Sequence, residues 1–239
     1  MNRARVSDAQ IRTILFDLDG TFADTAPDLA DALNCTLSAN AKPGLAFDKI
    51  RPVVSHGGRA LIELGFGIPI SHPDFEPLRQ QLLEFYQADI ARHTQLFPGV
   101  AELLQQLHDK HMQWGIVTNK PGWLTIPLLD SLTLPHAPCV VVSGDTLAQR
   151  KPDPAPLLHA SHQCQCPPAQ CLYVGDAERD IIAGKRAGMP TMAALYGYIG
   201  EQDTPQQWDA DSYVNHPEEI LPWVDAYNQS LRQAPRYAE

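Results

Sequence analysis

The 239-residue sequence predicts an α/β protein with a Rossmann-like, doubly wound parallel sheet and an inserted α-helical cap domain. Five short apolar runs, the first at residues 14–16 and the last at residues 191–195, alternate with stretches of helical periodicity. That alternation is typical of parallel strands with helices on both faces. Residues 25–93 break it, because their apolar spacing is helical throughout and contains no strand-like run.

The first apolar run, Ile14-Leu15-Phe16, is followed by two aspartates and a glycine. Carboxylates are poor strand formers, so we expect Asp17 and Asp19 at the carboxyl end of the strand, where ligands bind in open α/β sheets. One residue separates them, so extended geometry would place both on one face, where two close anions favour a bound cation. Gly20 permits a sharp turn. The alternative interpretation is an ordinary Asp-Gly turn after a core strand.

The insert begins with a helix. Thr25 is its candidate N-cap, Asp28 suits the positive end of the helix, and leucines at 29, 33 and 37 mark one face. The helical pattern ends near residues 93–99, where proline and glycine interrupt it. We therefore expect a catalytic core made of residues 1–24 and 94–239, and a helical cap domain made of residues 25–93.

After the insert, strands and helices alternate regularly. The predicted helices cover residues 100–107, 124–132 and 154–161 and pass through 181–182, and the predicted strands cover 114–117, 139–142, 172–174 and 191–195. The polar, proline-containing C-terminal stretch is expected to be partly unstructured.

Composition narrows the functional classes. The formal net charge of −10 argues against a general nucleic-acid or anionic-membrane binder, but leaves a small anionic substrate open. No apolar run is long enough to span a membrane, and Met1 to Gln10 contain no apolar signal segment. Five cysteines do not make a disulfide scaffold in a chain of this length and indicate a reducing compartment, so we expect a cytoplasmic protein. Cys35 and Cys139 lie in apolar settings and are expected in the core.

The polar residues at the predicted strand ends form a set. Thr118 and Asn119 follow the second strand and Asp176 the fourth, Asp180 comes one helical turn later, and Lys151 lies between the last two strands of the set. The ends of parallel strands meet at one edge of a sheet. Carboxylates with a few other oxygens suit Mg²⁺, and a metal with a lysine, a hydroxyl and an amide suits phosphoryl transfer.

The four segments at residues 17–21, 118–119, 151–152 and 175–180 resemble, in order and spacing, the four motifs of the haloacid dehalogenase superfamily phosphatases. The resemblance covers essentially the whole chain, with a helical cap between the first and second motifs. Residues 17–34 and 151–157 look like the phosphoglycolate phosphatase subfamily. Residues 114–121 and 196–199, with Trp208 and the Ala210-Asp211 pair, resemble the N-acetylmuramic acid 6-phosphate phosphatases of Gram-negative bacteria.

The resemblance implies a role for each carboxylate. Asp17 would attack phosphorus and form an aspartyl-phosphate. Asp19 would protonate the leaving alkoxide and then activate the hydrolytic water. Mg²⁺ would be held by Asp17, the backbone carbonyl of Asp19, and Asp176, with Asp180 in support.

The phosphoryl oxygens would be held by Thr118, Asn119 and Lys151, assisted by N–H groups near Gly20. The implied substrate is a small carboxylate-bearing phosphate metabolite, N-acetylmuramate 6-phosphate or 2-phosphoglycolate. The implied partners therefore include no nucleic acid and no membrane, and the chain would act as a monomer or homodimer.

A polar, glycine-containing segment of the insert, Ser55 to Arg59, is the candidate specificity loop. His56, Gly57 and Arg59 would close over the leaving group and exclude water. Arg59 suits a substrate carboxylate because arginine pairs with carboxylates through two parallel hydrogen bonds. The alternative is a plain loop followed by a helix start.

Other functions remain open at this stage. A sugar-phosphate mutase could use the same core, and a catalytically silent module could bind phosphate with it. A phosphonate hydrolase would need a cap lysine that reaches the site, such as Lys42 or Lys49. A dehalogenase is disfavoured, because it would not need Asp176 together with Asp180. A zinc site at residues 159–166 is disfavoured because the histidine and cysteine spacing fits no common zinc motif.

Overall fold

The computed structural model describes residues 9–233. Its strands are β1 Thr13–Phe16, β2 Ala23–Asp24, β3 Gln95–Leu96, β4 Gln113–Val117, β5 Val140–Val142, β6 Cys171–Gly175, β7 Thr191–Ala194 and β8 Ser212–Val214. Its α-helices are α1 Ala26–Ala39, α2 Phe47–Ile50, α3 Gly57–Phe66, α4 Phe75–Ala88, α5 Val100–Asp109, α6 Gly122–Ser131, α7 Ala155–Gln163, α8 Glu178–Arg186 and α9 Ile220–Gln233. Within this range, no helix combines the length and apolar character that crossing a bilayer requires.

Six of the strands form one sheet in the order β5-β4-β1-β6-β7-β8, and all of its pairs are parallel. β1 lies between β4 and β6, with Phe16 opposite Ile116 on one side and Val174 on the other. The residues that follow these three strands therefore leave the sheet side by side at one edge. The register thus places the polar residues after β1, β4 and β6 next to one another.

Helices cover both faces of the sheet. Alternate strand residues point to opposite faces, and Ile14 and Phe16 pack with apolar residues of α5, α6 and α9. Leu15 packs in a second cluster with residues of α7 and α8, among them Leu157 and Ala183. The predicted doubly wound parallel sheet is confirmed.

The helices α1 to α4 all lie between β2 and β3, which pair antiparallel where the chain leaves and rejoins the core. α1 packs against α3 and α4. The apolar cluster on this side of the sheet continues into the insert, so that Leu33, Leu82 and Tyr86 belong to the same cluster as Phe16. A division into two domains at residues 25 and 93 stays a prediction.

The structure corrects three expectations. The last roughly 25 residues were expected to be partly unstructured, whereas α9 covers most of those that the structure describes and buries Ile220, Leu221 and Val224 against the core. Cys35 is exposed rather than buried, since it lies on the outer face of α1. Cys139 is also exposed, because it lies just before β5 rather than in it, and it forms a disulfide with Cys164. The expectation about a signal segment falls largely on residues 1–8, outside the described residues.

Asp28 ties the two ends of the insert together. It is buried in the first turn of α1, and its carboxylate accepts hydrogen bonds from the backbone N–H groups of His93 and Thr94 and from the Thr94 hydroxyl, at 2.6 to 3.2 Å. The sequence suggested only a favourable charge at a helix start. The structure gives Asp28 a long-range contact that fixes where the returning chain meets the outgoing one.

We expect Asp28→Asn to lower the free energy of unfolding by roughly 1–3 kcal/mol, because an amide leaves at least one of these buried donors unsatisfied. Urea unfolding measures the change. Asp31→Asn is the matched control: Asp31 lies on the same helix, and its ion pair with His93 spans 3.8 Å between exposed side chains. Equal stability of the two variants would contradict the assignment.

Candidate active site

Asp17 stands directly after the central strand β1 and is 4% exposed. Its backbone N–H donates to the Val174 carbonyl at 2.9 Å, which fixes it against β6. Its Oδ1 accepts from the N–H of Leu18 at 2.8 Å and lies 2.9 Å from Nζ of Lys151. Within residues 9–233, Oδ2 of Asp17 has no hydrogen bond or ion pair. One carboxylate oxygen is thus fixed, and the other remains for a ligand.

Lys151 is buried, and both its ammonium and its backbone are fixed by neighbouring residues. Its Nζ lies 2.8 Å from Oδ1 of Asp180 and donates to Oη of Tyr173 at 2.7 Å, and that hydroxyl donates to the Val117 carbonyl at 2.7 Å. The side-chain amide of Asn119 donates to the Lys151 carbonyl at 2.9 Å and accepts from its N–H at 3.0 Å. Asn119 therefore positions Lys151 in this structure, which leaves one amide hydrogen for the expected contact with a phosphoryl oxygen.

Asp17 is one of three carboxylates that lie close together at this edge of the sheet. One oxygen each from Asp17, Asp176 and Asp180 lies within 4.8 Å of the others, and all three residues are buried. Burial and the neighbouring charges of Asp17 and Asp180 raise the pKa of Asp176 to about 7. Oδ1 of Asp180 has no partner with hydrogen-bond geometry, although the Lys151 ammonium is close. Lys151 and the nearby guanidinium of Arg179 are two positive charges against three carboxylates, so an excess of negative charge remains. These oxygen ligands fit a hard divalent cation such as Mg²⁺.

Two glycines make room for Asp176. Gly20 has φ +83°, and a Cβ at this position would lie 2.1 Å from Oδ2 of Asp176; a Cβ on Gly197 would lie 2.3 Å from the Asp176 Cβ. The N–H of Gly20 donates to the Ala23 carbonyl at 3.2 Å. In this structure Gly20 therefore packs against Asp176, and its own N–H is not directed at a phosphate position.

Asp19 is held through a single oxygen. Its Oδ1 accepts from the Thr25 hydroxyl at 2.7 Å and from Nζ of Lys120 at 2.8 Å, and Lys120 also donates to Oη of Tyr86 on α4 at 2.9 Å. Thr25 makes no side-chain cap for α1, because its hydroxyl is used by Asp19. Oδ2 of Asp19 has no hydrogen bond or ion pair with the part of the chain that the structure describes.

A cleft of about 670 Å³ separates the sheet edge from the insert. It brings together predicted residues from both sides, whereas Asp176 and Asp180 are not part of its wall. Its lining includes Asp17, Asp19, Thr118, Asn119, Lys120 and Lys151 from the core and His56, Gly57, Arg59, Arg79 and Tyr86 from the insert.

The segment before α3 reaches the carboxylate cluster directly. The hydroxyl of Ser55 donates to Oδ2 of Asp176 at 2.6 Å, and Arg179 donates to the Ser55 carbonyl at 2.5 Å. Arg51 lies 4.9 Å from the centre of the Tyr198 ring and donates to the Gly197 carbonyl at 3.2 Å. The insert thus contacts the core around Asp176 as well as around Asp19.

The sequence pattern gave no role to Lys120, Tyr86 or Tyr173. It included Ser55 as the first residue of the candidate specificity loop but did not predict its contact with Asp176. Lys120 had a signal that was available, because it directly follows Thr118 and Asn119 at a strand end. Tyr86 belongs to the apolar face of α4 and Tyr173 to a buried strand, so periodicity explains both without any functional role.

The chain matches the family model of the haloacid dehalogenase-like hydrolases over residues 14–194. It is 43% identical over 212 residues to a phosphoglycolate phosphatase of Xanthomonas campestris, covering 87% of this chain and 94% of the relative. It is 40% identical over 217 residues to an N-acetylmuramic acid 6-phosphate phosphatase of Pseudomonas putida, covering 91% and 97%. A crystal structure from Haemophilus somnus, described as a predicted phosphoglycolate phosphatase, superposes with a TM-score of 0.80 at 26% identity, covering 90% of this chain and 98% of that one.

The crowded carboxylates predict a pH dependence of stability when metal is chelated. The unfolded chain loses the Asp176 proton near the ordinary carboxyl pKa, whereas the folded protein keeps it up to about pH 7. The folded state binds more protons in that interval, so stability should fall as pH rises from about 4 to about 7. Asp176→Asn should reduce this slope, and Asp130→Asn, at an exposed position, should not. Urea unfolding at each pH is the measurement, and unchanged slopes in Asp176→Asn would refute the electrostatic account.

Proposed function

We propose that this chain, which belongs to the haloacid dehalogenase-like hydrolases and is a phosphatase, hydrolyses the phosphate ester of a carboxylate-bearing metabolite through an aspartyl-phosphate on Asp17. N-acetylmuramic acid 6-phosphate is the first candidate substrate, and 2-phosphoglycolate is the second. The observation that carries this proposal is the state of Asp17. One of its oxygens is fixed beside Lys151 at 2.9 Å, and the residue lines the cleft with its other oxygen unpaired among the described residues. This is the arrangement that a nucleophilic carboxylate requires.

In the first step, an oxygen of Asp17 forms a bond to phosphorus while the bond from phosphorus to the substrate oxygen breaks. Asp19 gives its proton to that leaving oxygen, so the product departs as a neutral alcohol. Lys151 holds negative charge on the transferring group, and Thr118 and Asn119 lie beside it in the cleft. Tyr173 keeps the ammonium of Lys151 in place, and the Asn119 amide holds the backbone of the same residue.

In the second step, water attacks phosphorus and the bond to Asp17 breaks. Asp19, now ionised, accepts the proton of that water, which restores both carboxyl groups and releases phosphate. We propose that Mg²⁺ is held by Asp17, the Asp19 carbonyl, and Asp176, with Asp180 in support, and that it supplies positive charge that lets a phosphate dianion approach these carboxylates.

The size and lining of the cleft favour the amino-sugar acid as substrate. A volume of about 670 Å³ is in the range of pockets that enclose drug-sized ligands, roughly 300–1,000 Å³, and far exceeds what a two-carbon acid fills. Trp123 lines it and is 39% exposed, so a flat apolar ring is available to a sugar. The relatives named phosphoglycolate phosphatases support 2-phosphoglycolate as the second candidate.

We propose that residues 25–93 act as the cap that discriminates among leaving groups. His56, Gly57 and Arg59 line the cleft opposite the carboxylates, and Gly57 has φ +80°, a conformation that favours glycine. Arg59 is exposed, and its charge is available to a substrate carboxylate, whereas Arg79 beside it pairs with Glu76.

The proposed function is tested by phosphate release from a panel that includes N-acetylmuramic acid 6-phosphate, 2-phosphoglycolate and a hexose 6-phosphate. We expect hydrolysis that requires Mg²⁺, is abolished by exhaustive chelation and is absent in Asp17→Asn, with the highest kcat/KM for N-acetylmuramic acid 6-phosphate. Substantial hydrolysis by Asp17→Asn would reject the nucleophile. Isomerisation of a sugar phosphate without phosphate release would favour a mutase, and binding without either reaction would favour a silent phosphate-binding module.

Arg59→Ala should cost about 1–3 kcal/mol in kcat/KM for N-acetylmuramic acid 6-phosphate, because a charged hydrogen bond to its carboxylate is lost. Hydrolysis of 4-nitrophenyl phosphate, which carries no carboxylate, should change much less. Arg92→Ala is the matched control, since Arg92 is an exposed arginine of the insert that does not line the cleft. Equal losses on both substrates would assign Arg59 to the fold or to the phosphate site instead.

A further inference from the structure

Lys120 is a buried cation that none of the steps above uses. Only 8% of it is exposed, yet it lines the cleft and follows Thr118 and Asn119 at the end of β4. Its Nζ lies 2.8 Å from Oδ1 of Asp19 and 2.9 Å from Oη of Tyr86, and it is 4.3 Å from the centre of the Tyr86 ring. A buried ammonium costs free energy unless it is paired, so both contacts stabilise its position.

The two partners of Lys120 come from different parts of the chain. Asp19 follows β1 in the core, whereas Tyr86 is a buried residue of α4 in the insert. Burial raises the pKa of Tyr86 to about 12, so its hydroxyl stays neutral and accepts from the ammonium. Lys120 therefore forms a bridge that is complete only while α4 lies against the sheet edge.

This bridge fixes the carboxylate through one oxygen only. Oδ1 of Asp19 accepts from Lys120 and from Thr25, the residue directly before α1, and neither donor bonds Oδ2. Both donors therefore depend on the insert. Thr25 depends on it because it directly precedes α1, and Lys120 depends on it because it also contacts Tyr86. With Oδ1 occupied, Oδ2 is the oxygen left for proton transfer to a substrate.

We propose that Lys120 is a positioning residue that couples closure of the insert, through Tyr86, to the orientation of Asp19 for proton transfer to the leaving group. The inference rests on the acid–base role proposed for Asp19 and adds a condition: Asp19 is held in its productive orientation when the insert encloses the substrate. An open insert would leave Lys120 without the Tyr86 contact and Asp19 with a less fixed side chain.

The leaving group provides the decisive readout. An alkyl phosphate releases a strongly basic alkoxide and needs the proton, whereas 4-nitrophenyl phosphate releases a weakly basic phenolate and hardly needs it. For each substrate, kcat/KM reports on binding and on the transfer of the phosphoryl group to Asp17, and it excludes the later hydrolysis of the aspartyl-phosphate. Glycerol phosphate serves as the alkyl substrate, since it carries no carboxylate for Arg59.

The experiment compares wild-type protein with Lys120→Met and Tyr86→Phe. For Lys120→Met we expect kcat/KM on glycerol phosphate to fall at least about tenfold more than on 4-nitrophenyl phosphate, which is within the usual contribution of a positioned acid. Tyr86→Phe should change the ratio in the same direction but less, because the ring remains over the ammonium. Lys110→Met, at an exposed lysine paired with Asp225, is the matched control and should leave the ratio unchanged.

Urea unfolding of each variant separates folding from positioning, since a merely destabilised enzyme would lose activity on both substrates alike. Equal losses on both substrates, or no loss in Lys120→Met, would overturn this inference while leaving the proposed phosphatase chemistry intact. The proposed function itself fails in a different way, namely if wild-type protein releases phosphate from neither N-acetylmuramic acid 6-phosphate nor 2-phosphoglycolate, or if Asp17→Asn remains active.

Discussion

The structure depends on the burial of three carboxylates at the edge of one sheet. Asp17, Asp176 and Asp180 place oxygens within 4.8 Å of one another, and Lys151 is the cation that contacts two of them. Burial raises the pKa of Asp176, and repulsion by the neighbouring carboxylates of Asp17 and Asp180 raises it further. The central position of β1 and the close approach at Gly20 hold the cluster together, and its carboxylate oxygens lie close enough to one another that they could hold a metal ion.

The insert completes the site as well as covering it. Ser55 bonds Asp176, and Thr25 bonds Asp19, so residues at the start of the insert and before α3 contact two of the carboxylates directly. Lys120 adds a further contact between core and insert, because this core residue donates a hydrogen bond to the hydroxyl of Tyr86 in the insert. The carboxylates at the sheet edge thereby make contacts that depend on where the insert lies, and the proposed role of the insert in specificity rests on these contacts.

The sequence predicts the sheet and its polar edge well, because each short apolar run is followed by residues that cannot continue a buried strand. Asp17, Lys151 and Asp176 lie where that logic put them. Periodicity does not describe contacts between distant elements. It assigned Tyr86 to a helix face and Cys139 to the core. In the structure, Tyr86 accepts a hydrogen bond from Lys120, and Cys139 is exposed and forms a disulfide with the buried Cys164. β8 is too short to show alternation, and its packing against β7 decides it.

The central claim is that Asp17 carries the phosphoryl group between substrate and water. The stereochemical course at phosphorus tests it most directly, using a phosphorothioate ester that is chiral at phosphorus and is hydrolysed in isotopically labelled water. Sulfur and three oxygen isotopes then make the released thiophosphate chiral as well. Each in-line displacement inverts the configuration, so transfer to Asp17 followed by transfer to water predicts net retention. Net inversion would mean that water attacks the substrate directly, and it would contradict the role of Asp17 as nucleophile.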